Sequence, residues 1–485
     1  MSFRTLLSPQ FSALSDRPTV AIVGGGASGV LTAVHLLRRR VPVRIVLVED
    51  RPRLGRGVAY GTTCDAHLLN VPAHGMSAYP EEPDHFLTWA RARRPGVERR
   101  SFLPRRLYGE YLEWCLDQEI ARARRHTFTA VQGRVTGVVS TPVGAGLKLA
   151  DGATIWASQV VLALGNSAGA VALPRWGSPR PVRDAWEPEV LAGLAGSDRP
   201  VVLVGTGLTA VDVVISLQEA GFGGPIQAVS RRGLLPRAHI PTSRPASIGP
   251  PVAWAPRTAR ELLAVLRAEV RRVEQRGGDW RDVVDSLRPV TQRLWASLPE
   301  AEQDRLHRHA LRYWEVHRHR MAPEVAGRIA ALQASGRLQV SAGRIVSLVE
   351  RGDAAEVVVR PGFGQAAQGG LVRIEAAAVI RCTGPRESLS EVGDPVLDCL
   401  FSAGDARPGP LGLGLAVDPG GRLLDRQGRP SPVLWAIGPL RRGALLETTA
   451  IPEIRVQAAA LARTIPAAVA ATEADVAAPY ALLEA

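Results

Sequence analysis

The stretch Thr19–Glu49, TVAIVGGGASGVLTAVHLLRRRVPVRIVLVE, restricts the fold of this 485-residue chain more than any other. An apolar run ends in Gly24-Gly25-Gly26-Ala27-Ser28-Gly29, which fits GxGxxG, and a helical pattern and a second apolar run follow. Gly24 permits the sharp turn, Gly26 lets the backbone approach a pyrophosphate, and Gly29 lets the helix pack against the strand. Unpaired N–H groups and the helix dipole favour negative charge at that helix start. About twenty residues past Gly29, Glu49 closes the second strand, where a carboxylate accepts hydrogen bonds from an adenosine ribose. A strand before and a strand after make this a dinucleotide site rather than an isolated glycine turn.

The motif recurs. Val201–Val204 reads as a strand, Gly205-Thr206-Gly207-Leu208-Thr209-Ala210 is GxGxxA before a helix, and Ile226–Ser230 is the next strand. Here the strand-end acid is replaced by Ser230-Arg231-Arg232. Two guanidinium forks suit an adenosine 2′-phosphate and favour NADPH over NADH, although in an arginine-rich chain they also read as solvated turn residues. Two such motifs in one chain imply one resident and one visiting cofactor. The expected class is α/β, with two Rossmann-like dinucleotide-binding domains, for FAD and NADPH, and a helical insertion. The expected boundaries are 1–197 for the first part of the FAD domain and 198–384 for the NAD(P)H domain. The insertion would span about 252–336, and 385–485 would return to the FAD domain with a C-terminal helix.

Residues 51–126 break the strand–helix alternation, with helices expected near 84–94 and 107–124. Asn70, before Val71-Pro72, reads as a turn former. A small β-meander is expected over 128–164, ending in a buried strand that runs into Gly165, and 166–199 reads as a linker. Gly233–Pro251 is a Pro-rich loop containing Arg237 and His239. From about 255 the period turns helical, with Leu262, Leu263, Leu266, Val270 and Val273 on one stripe. The run His307, His309, Arg312, Trp314, His317, Arg318, His319, Arg320 reads mainly as a solvated face. Its histidines at i and i+2 do not share a helix face, so no metal site is expected. Beside a flavin, its Arg and His residues could instead hold a substrate carboxylate. Ala378–Gly384 is a second strand-to-glycine exit.

Hydrophobic content of 46% and charged content of 22% describe an ordinary globular chain. The formal charge of +13 comes from arginine spread along the chain, Lys148 being the one lysine, and no block of like charge suggests a nucleic-acid partner. Cys64, Cys115, Cys382 and Cys399 show no CxxC and no metal-ligand spacing, which argues against a disulfide-reductase mechanism. No signal-peptide pattern and no membrane span are read, so a cytoplasmic protein is expected.

Taken together, VAIVGGGASGV, LLNVPA, FLPRRLYGEYLEW, VVLVGTGLTAVDVV, SRRGLLPRAHIP and AIGPLRRGALLETTAIPEIRVQA resemble a bacterial FAD/NAD(P)-binding flavoprotein family. That family includes nitrosuccinate-forming L-aspartate N-monooxygenases and a flavoprotein urate hydroxylase, and the chain is more distantly similar to ornithine and lysine N-hydroxylases. The resemblance covers roughly residues 18–463 and is carried by the order of the motifs. It implies tightly held FAD on Gly24, Gly26, Ser28, Gly29, Glu49, Asn70 and Gly438. It also implies transient NADPH on Gly205, Gly207, Thr209, Arg231 and Arg232, and molecular oxygen as co-substrate. Many related flavoproteins carry Gly-Asp where this chain has Gly438-Pro439, which leaves a backbone amide or Thr448 for the ribityl contact. The activity expected is N-hydroxylation of a small carboxylated amino acid such as L-aspartate, clamped by Arg237, His239 or Arg320. A purine hydroxylase, an NAD(P)H-dependent flavin oxidoreductase without oxygen transfer, and a sensor holding FAD structurally remain as alternatives. A homo-oligomer is compatible with all of these.

Overall fold

The computed structural model describes residues 17–481 except 167–181, 186–192, 195, 241–255, 353, 363–369, 385–388 and 390–392, with side chains described as far as 469. The opening motif folds as β1 (Thr19–Val23), α1 (Ala27–Leu37) and β2 (Arg44–Glu49). Val20, Ala21 and Ile22 are fully buried, as a parallel strand covered on both faces requires. The chain continues through α2 (Gly57–Tyr60), α3 (His85–Arg91) and α4 (Arg105–Arg122) to β3 (Thr127–Gln132). Strands β4 (Val135–Thr141), β5 (Gly144–Leu149), β6 (Thr154–Ala157) and β7 (Gln159–Leu162) follow. The expected meander is therefore only β4–β6, an antiparallel three-stranded sheet. β3 instead lies parallel to β2, with Arg44 opposite Thr127. The long excursion between β2 and β3 hides that pairing from local reading.

The second half begins with β8 (Val182–Asp184) and β9 (Val201–Val204), then α5 (Leu208–Glu219) and β10 (Ile226–Ser230). The helices α6 (Ala259–Glu274), α7 (Trp280–Ser286), α8 (Thr291–Ala296), α9 (Glu300–His309), α10 (Leu311–Arg318) and α11 (Pro323–Ala334) follow. Then come β11 (Leu338–Arg351), β12 (Ala354–Pro361), β13 (Val372–Ala376), β14 (Ala378–Arg381) and α12 (Pro395–Ala403). The chain ends with β15 (Arg422–Leu424), β16 (Pro430–Ala436) and α13 (Ile451–Ala481). One sheet has the order β15-β16-β7-β1-β2-β3 and the other β13-β12-β11-β10-β9-β14-β8. The return segment thus completes the first sheet: β16 pairs parallel to β7, and Ile454, Leu461 and Ile465 of α13 share a core with Val30, Leu31 and Val34 of α1. The mixed α/β fold with two Rossmann-type units is as the glycine motifs predict.

The span read as a linker falls largely outside the described residues, but β8 within it pairs with β14 at the edge of the second sheet. The first residues of the expected insertion, 252–255, also lie outside. At its far end α11 is a sheet-covering helix: Val325, Ile329 and Leu332 pack in the core of the second unit, making the crossover from β10 to parallel β11. The helices before it form a separate cap. Of the stripe expected on α6, Val273 is buried, whereas Leu262, Leu263, Leu266 and Val270 are half-buried.

Polar contacts join the two units. Arg105 of α4 is ion-paired with Asp212 of α5 at 2.6 Å, both largely buried, and His67 Nε2 lies 2.8 Å from Ser216 Oγ. Among the described residues, no helix is long and apolar enough to cross a membrane.

Candidate functional site

The first turn is built for close approach. Gly24 has φ +103°, and a Cβ there would lie 2.5 Å from the Ala163 carbonyl oxygen; a Cβ on Gly29 would collide with the Gly24 carbonyl. Gly26 faces Gly57 Cα, 3.7 Å from where its Cβ would be, so bare backbone meets bare backbone beside the start of α1. Gly57, in a Gly/Arg-rich loop, was not a candidate from sequence. Glu49 is 9% exposed; it accepts from the Gly25 N–H at 2.6 Å and the Arg51 N–H at 3.0 Å. Burial, with neighbouring Asp50, raises its carboxyl to about 6.

The flavin-side loop predicted around Gly438 closes on the same place. Gly438 has φ +68°, and a Cβ there would lie 2.7 Å from Ser28 Oγ at the start of α1. Its N–H donates to Gln457 Oε1 at 3.0 Å, and its carbonyl accepts from Thr448 Oγ1 at 2.7 Å. Gln457 Nε2 in turn donates to Thr448 Oγ1 at 2.9 Å. The Thr448 hydroxyl is thus committed to Gly438, so within this structure it shapes the loop. Sequence reading missed Gln457, which looks like any polar position of a helix.

The second turn repeats the first. Gly205 has φ +120°, its N–H donates to the Val229 carbonyl at 2.8 Å, and a Cβ on it would meet the Cys382 carbonyl oxygen at 2.6 Å. Thr209 is half-buried in the first turn of α5. At the strand end Thr206 Oγ1 lies 2.9 Å from Ser230 Oγ and donates to the Leu234 carbonyl. Arg232 donates to the carbonyls of Arg308 and His309 at the end of α9, favourable ground for a cation, and stacks over Tyr313. Arg231 is the exposed member of the pair. Arg312 was read as a solvated face, yet its Nη2 lies 3.5 Å from the position of a Cβ on Gly207.

The three substrate-clamp candidates separate. Arg237 has an exposed side chain. Its backbone is the bonded part: its N–H donates to Val316 and its carbonyl accepts from Met321. His239 and Arg320 turn inward. His239 Nε2 lies 3.0 Å from the Asn70 carbonyl, and since a carbonyl only accepts, that nitrogen carries the proton. Burial first, and then the Arg320 charge, lower His239 to about 4, so the ring is neutral at pH 7 with Nδ1 as an acceptor. Arg320 is 2% exposed; its Nη2 pairs with Asp285 at 2.5 Å, and its buried Nε–H has no hydrogen-bond partner among the described residues. An unpaired guanidinium N–H at that depth is costly unless something accepts from it.

The cap carrying Arg320 sits on the return segment. Its apolar core, Ala259, Trp295, Leu298 and Leu306, is closed by Leu411 and Leu446 from the return segment. Trp295 Nε1 donates to the Gly443 carbonyl at 2.8 Å, and Gln292 Nε2 donates to the Glu447 carbonyl. Arg318 and Glu447, 7% and 6% exposed, form a bidentate pair at 2.8 and 2.9 Å. Burial alone would lower Arg318, but the charge of Glu447 and its hydrogen bonds outweigh that and raise it. Arg288 pairs with Glu453 at 2.6 Å.

Residues 21–167 match the profile of the FAD-NAD(P)-binding family. That stretch is an FAD-NAD(P)-binding domain. An Escherichia coli (strain K12) protein, YdhS, aligns with the chain over 119 residues at 25% identity, an alignment that spans 22% of either protein. Among solved structures, the ornithine hydroxylase of Pseudomonas aeruginosa superposes with a TM-score of 0.60 over 93% of this chain and 100% of its own, at 15% identity. The L-lysine 6-monooxygenase of Pseudomonas syringae gives 0.60 over 93% and 100%, at 14% identity. A bacillithiol disulfide reductase from Staphylococcus aureus gives 0.55 over 93% and 99%, at 12% identity. Such identities speak for the fold, which these hydroxylases and this reductase share.

Proposed function

We propose that this protein is an FAD- and NADPH-dependent monooxygenase that N-hydroxylates the amine of a small carboxylated amino acid, L-aspartate being the first candidate. FAD is assigned to Gly24, Gly26, Ser28, Gly29, Glu49, Asn70 and the Gly438 loop, and NADPH to Gly205, Gly207, Thr209, Arg231 and Arg232. The residues fit both groups: Gly26 and Gly57 present bare backbone beside the start of α1, where N–H groups and the helix dipole suit a pyrophosphate, and the second turn is flanked by arginines. When bound and reduced, the flavin supplies the chemistry with molecular oxygen.

The observation that carries the reading is the pair Arg320 and His239. The Arg320 Nε–H, unpartnered among the described residues, suits a substrate carboxylate as acceptor. Neutral His239, beside a guanidinium that disfavours a second cation, accepts through Nδ1 from an uncharged amine and keeps the nitrogen lone pair available. Thiol chemistry has weaker support. The cysteines are unpaired, and burial pushes the Cys115 thiol up to about 12 and raises Cys382 as well, the reverse of a reactive thiolate.

The test follows NADPH oxidation by the FAD-loaded protein with a panel of amino acids and purines, including urate, and product by mass. Faster oxidation with one added oxygen on an amino acid supports the reading. An oxygenated purine would move the substrate class. Hydrogen peroxide alone, unaffected by every candidate, would favour the oxidoreductase.

A further inference from the structure

Helix α10 reaches both nucleotide sites. At its start, Arg312 lies against the Gly207 turn, 3.5 Å from the place of a Cβ there. At its end, Arg318 holds Glu447 in the bidentate buried pair, and Glu447 is followed by Thr448, whose hydroxyl holds Gly438. Midway, Glu315 bonds in both directions, to Arg312 at 3.1 Å and to Arg442 of the flavin-side segment at 3.4 Å.

We infer that α10 is a strut between the two cofactor sites, with Arg312 binding the pyrophosphate of the nucleotide on the second turn and Arg318 positioning the flavin loop through Glu447. The assignment rests on the reading of the second turn as the NADPH site. Two facts make Arg312 more than a surface arginine. A guanidinium beside the N-terminus of α5 sets positive charge against the positive end of a helix, which Glu315 offsets from one side at 3.1 Å and an anion at the turn would offset from the other. In addition, Arg312 is carried by a cap fixed in place by its own core and by buried ion pairs, so its position does not rest on a flexible surface loop. A fork of N–H donors on one side and backbone N–H groups on the other match the two faces of a pyrophosphate.

At the other end, hydrogen bonds, one peptide link and one close approach lead from the cap to the first glycine turn. Arg318 donates to the Glu447 carboxylate, and Gln292 donates to the Glu447 carbonyl. Thr448 donates to Gly438, and Gly438 abuts Ser28 of α1. A helix of eight residues is about 12 Å long and stiff. Anchored at both ends, it sets the distance between the visiting nucleotide and the flavin loop. Arg312 therefore senses the pyrophosphate common to NADP⁺ and NAD⁺, whereas Arg231 and Arg232 address the 2′-phosphate of NADP⁺ alone.

The experiment uses the full chain and two readouts. Calorimetric titration of wild type and Arg312→Gln with NADP⁺ and with NAD⁺ is expected to show both weakened by a similar factor, about tenfold. Hydrogen exchange on the cofactor-free protein compares wild type with Arg318→Met plus Glu447→Met, an apolar pair of similar bulk. Exchange across 437–450 is expected to accelerate about tenfold while β1 and β9 keep their protection. With FAD added, the same variant should shift the visible absorption of the bound flavin. Glu447→Gln, which keeps the side-chain shape, serves as the second variant should the double one not fold. Dissociation constants within twofold of wild type for Arg312→Gln would overturn its role. Unchanged exchange across 437–450 would overturn the role of Arg318. Should the wild-type chain take up neither dinucleotide, the reading of the second turn falls together with Arg312, and the exchange experiment, needing no cofactor, still decides Arg318.

Discussion

The two glycine turns have almost the same backbone and different finishes. Each begins on a glycine of positive φ pressed against the carbonyl that leaves a neighbouring strand, Ala163 in one case and Cys382 in the other. They part at the last motif position. Gly29 has no space for a methyl group, because α1 packs onto the Gly24 carbonyl, whereas Ala210 fits its methyl there and is 1% exposed. They part again at the strand end, where Glu49 is buried against Gly25 and Ser230 bonds a threonine hydroxyl. The first turn is enclosed by its own unit: a Cβ on Gly25 would meet Leu54, Glu49 and Leu47 within 3 Å. At the second, it is the cap that lies over Gly207, through Arg312. A site enclosed by its own core suits a ligand that stays, and one covered by a separate element suits a ligand that comes and goes.

The sharpest break of this comparison is a methyl group. Gly29→Ala is expected to lose bound FAD and destabilise the protein by more than about 4 kcal/mol, since neither the turn nor α1 can move without the other. Ala210→Gly, the mirror change, should cost about 1 kcal/mol of helix stability and leave the cofactor content intact. Urea unfolding and flavin content per chain measure both. Equal costs would mean that the two turns are packed alike.

How much of this was legible in the sequence follows from how local each feature is. The turns, their strands and the exits at Ala163 and Cys382 are set by near neighbours, through glycine φ and continuous apolar runs, and they read correctly. Residues that join a site from far along the chain carry no local mark. Gly57 opposite Gly26 is one glycine among many, and Gln457 behind Gly438 is an ordinary helix polar residue. Arg312 and Arg318 stand in a run of Arg and His whose composition is that of a solvated face. Only the docking of the cap onto 442–453 shows which of them are buried or directed inward. The clamp reading rested on residue type alone, and tertiary structure separates exposed Arg237 from buried Arg320.

A smaller effect tests the second strand end. Replacing Arg231 and Arg232 by Ala should raise KM for NADPH at least about tenfold, as loss of charged hydrogen bonds to a phosphate would, with little change for NADH. Arg232 also ties the end of α9 to the second unit, so the single changes Arg231→Ala and Arg232→Ala are measured beside the double one. A parallel rise for both nucleotides would remove the 2′-phosphate argument and leave Arg232 as a cap anchor.

The finest distinction between the turns is a proton. Glu49 titrates at about 6 in the folded chain against an ordinary value of 4.5, because burial disfavours its charge. A raised folded value means the folded state holds the proton more tightly. The stabilisation from this group is therefore complete below pH 4.5 and is lost as pH rises through 6, about 2 kcal/mol in all. Ribose hydroxyls donating to the ionised carboxylate would recover that loss and pull the value down. FAD binding should then tighten between pH 5 and 7 and release a fraction of a proton near pH 6, measurable by titration calorimetry in buffers of different ionisation enthalpy. Glu49→Gln should abolish both the release and the pH dependence. Ser230, at the equivalent place of the second unit, has no proton to lose in this range, so binding of NAD⁺, which brings no 2′-phosphate, should show no step from its strand end. A flat FAD affinity from pH 5 to 7 in the wild type would mean that Glu49 serves the Gly25 turn alone and does not meet the ribose.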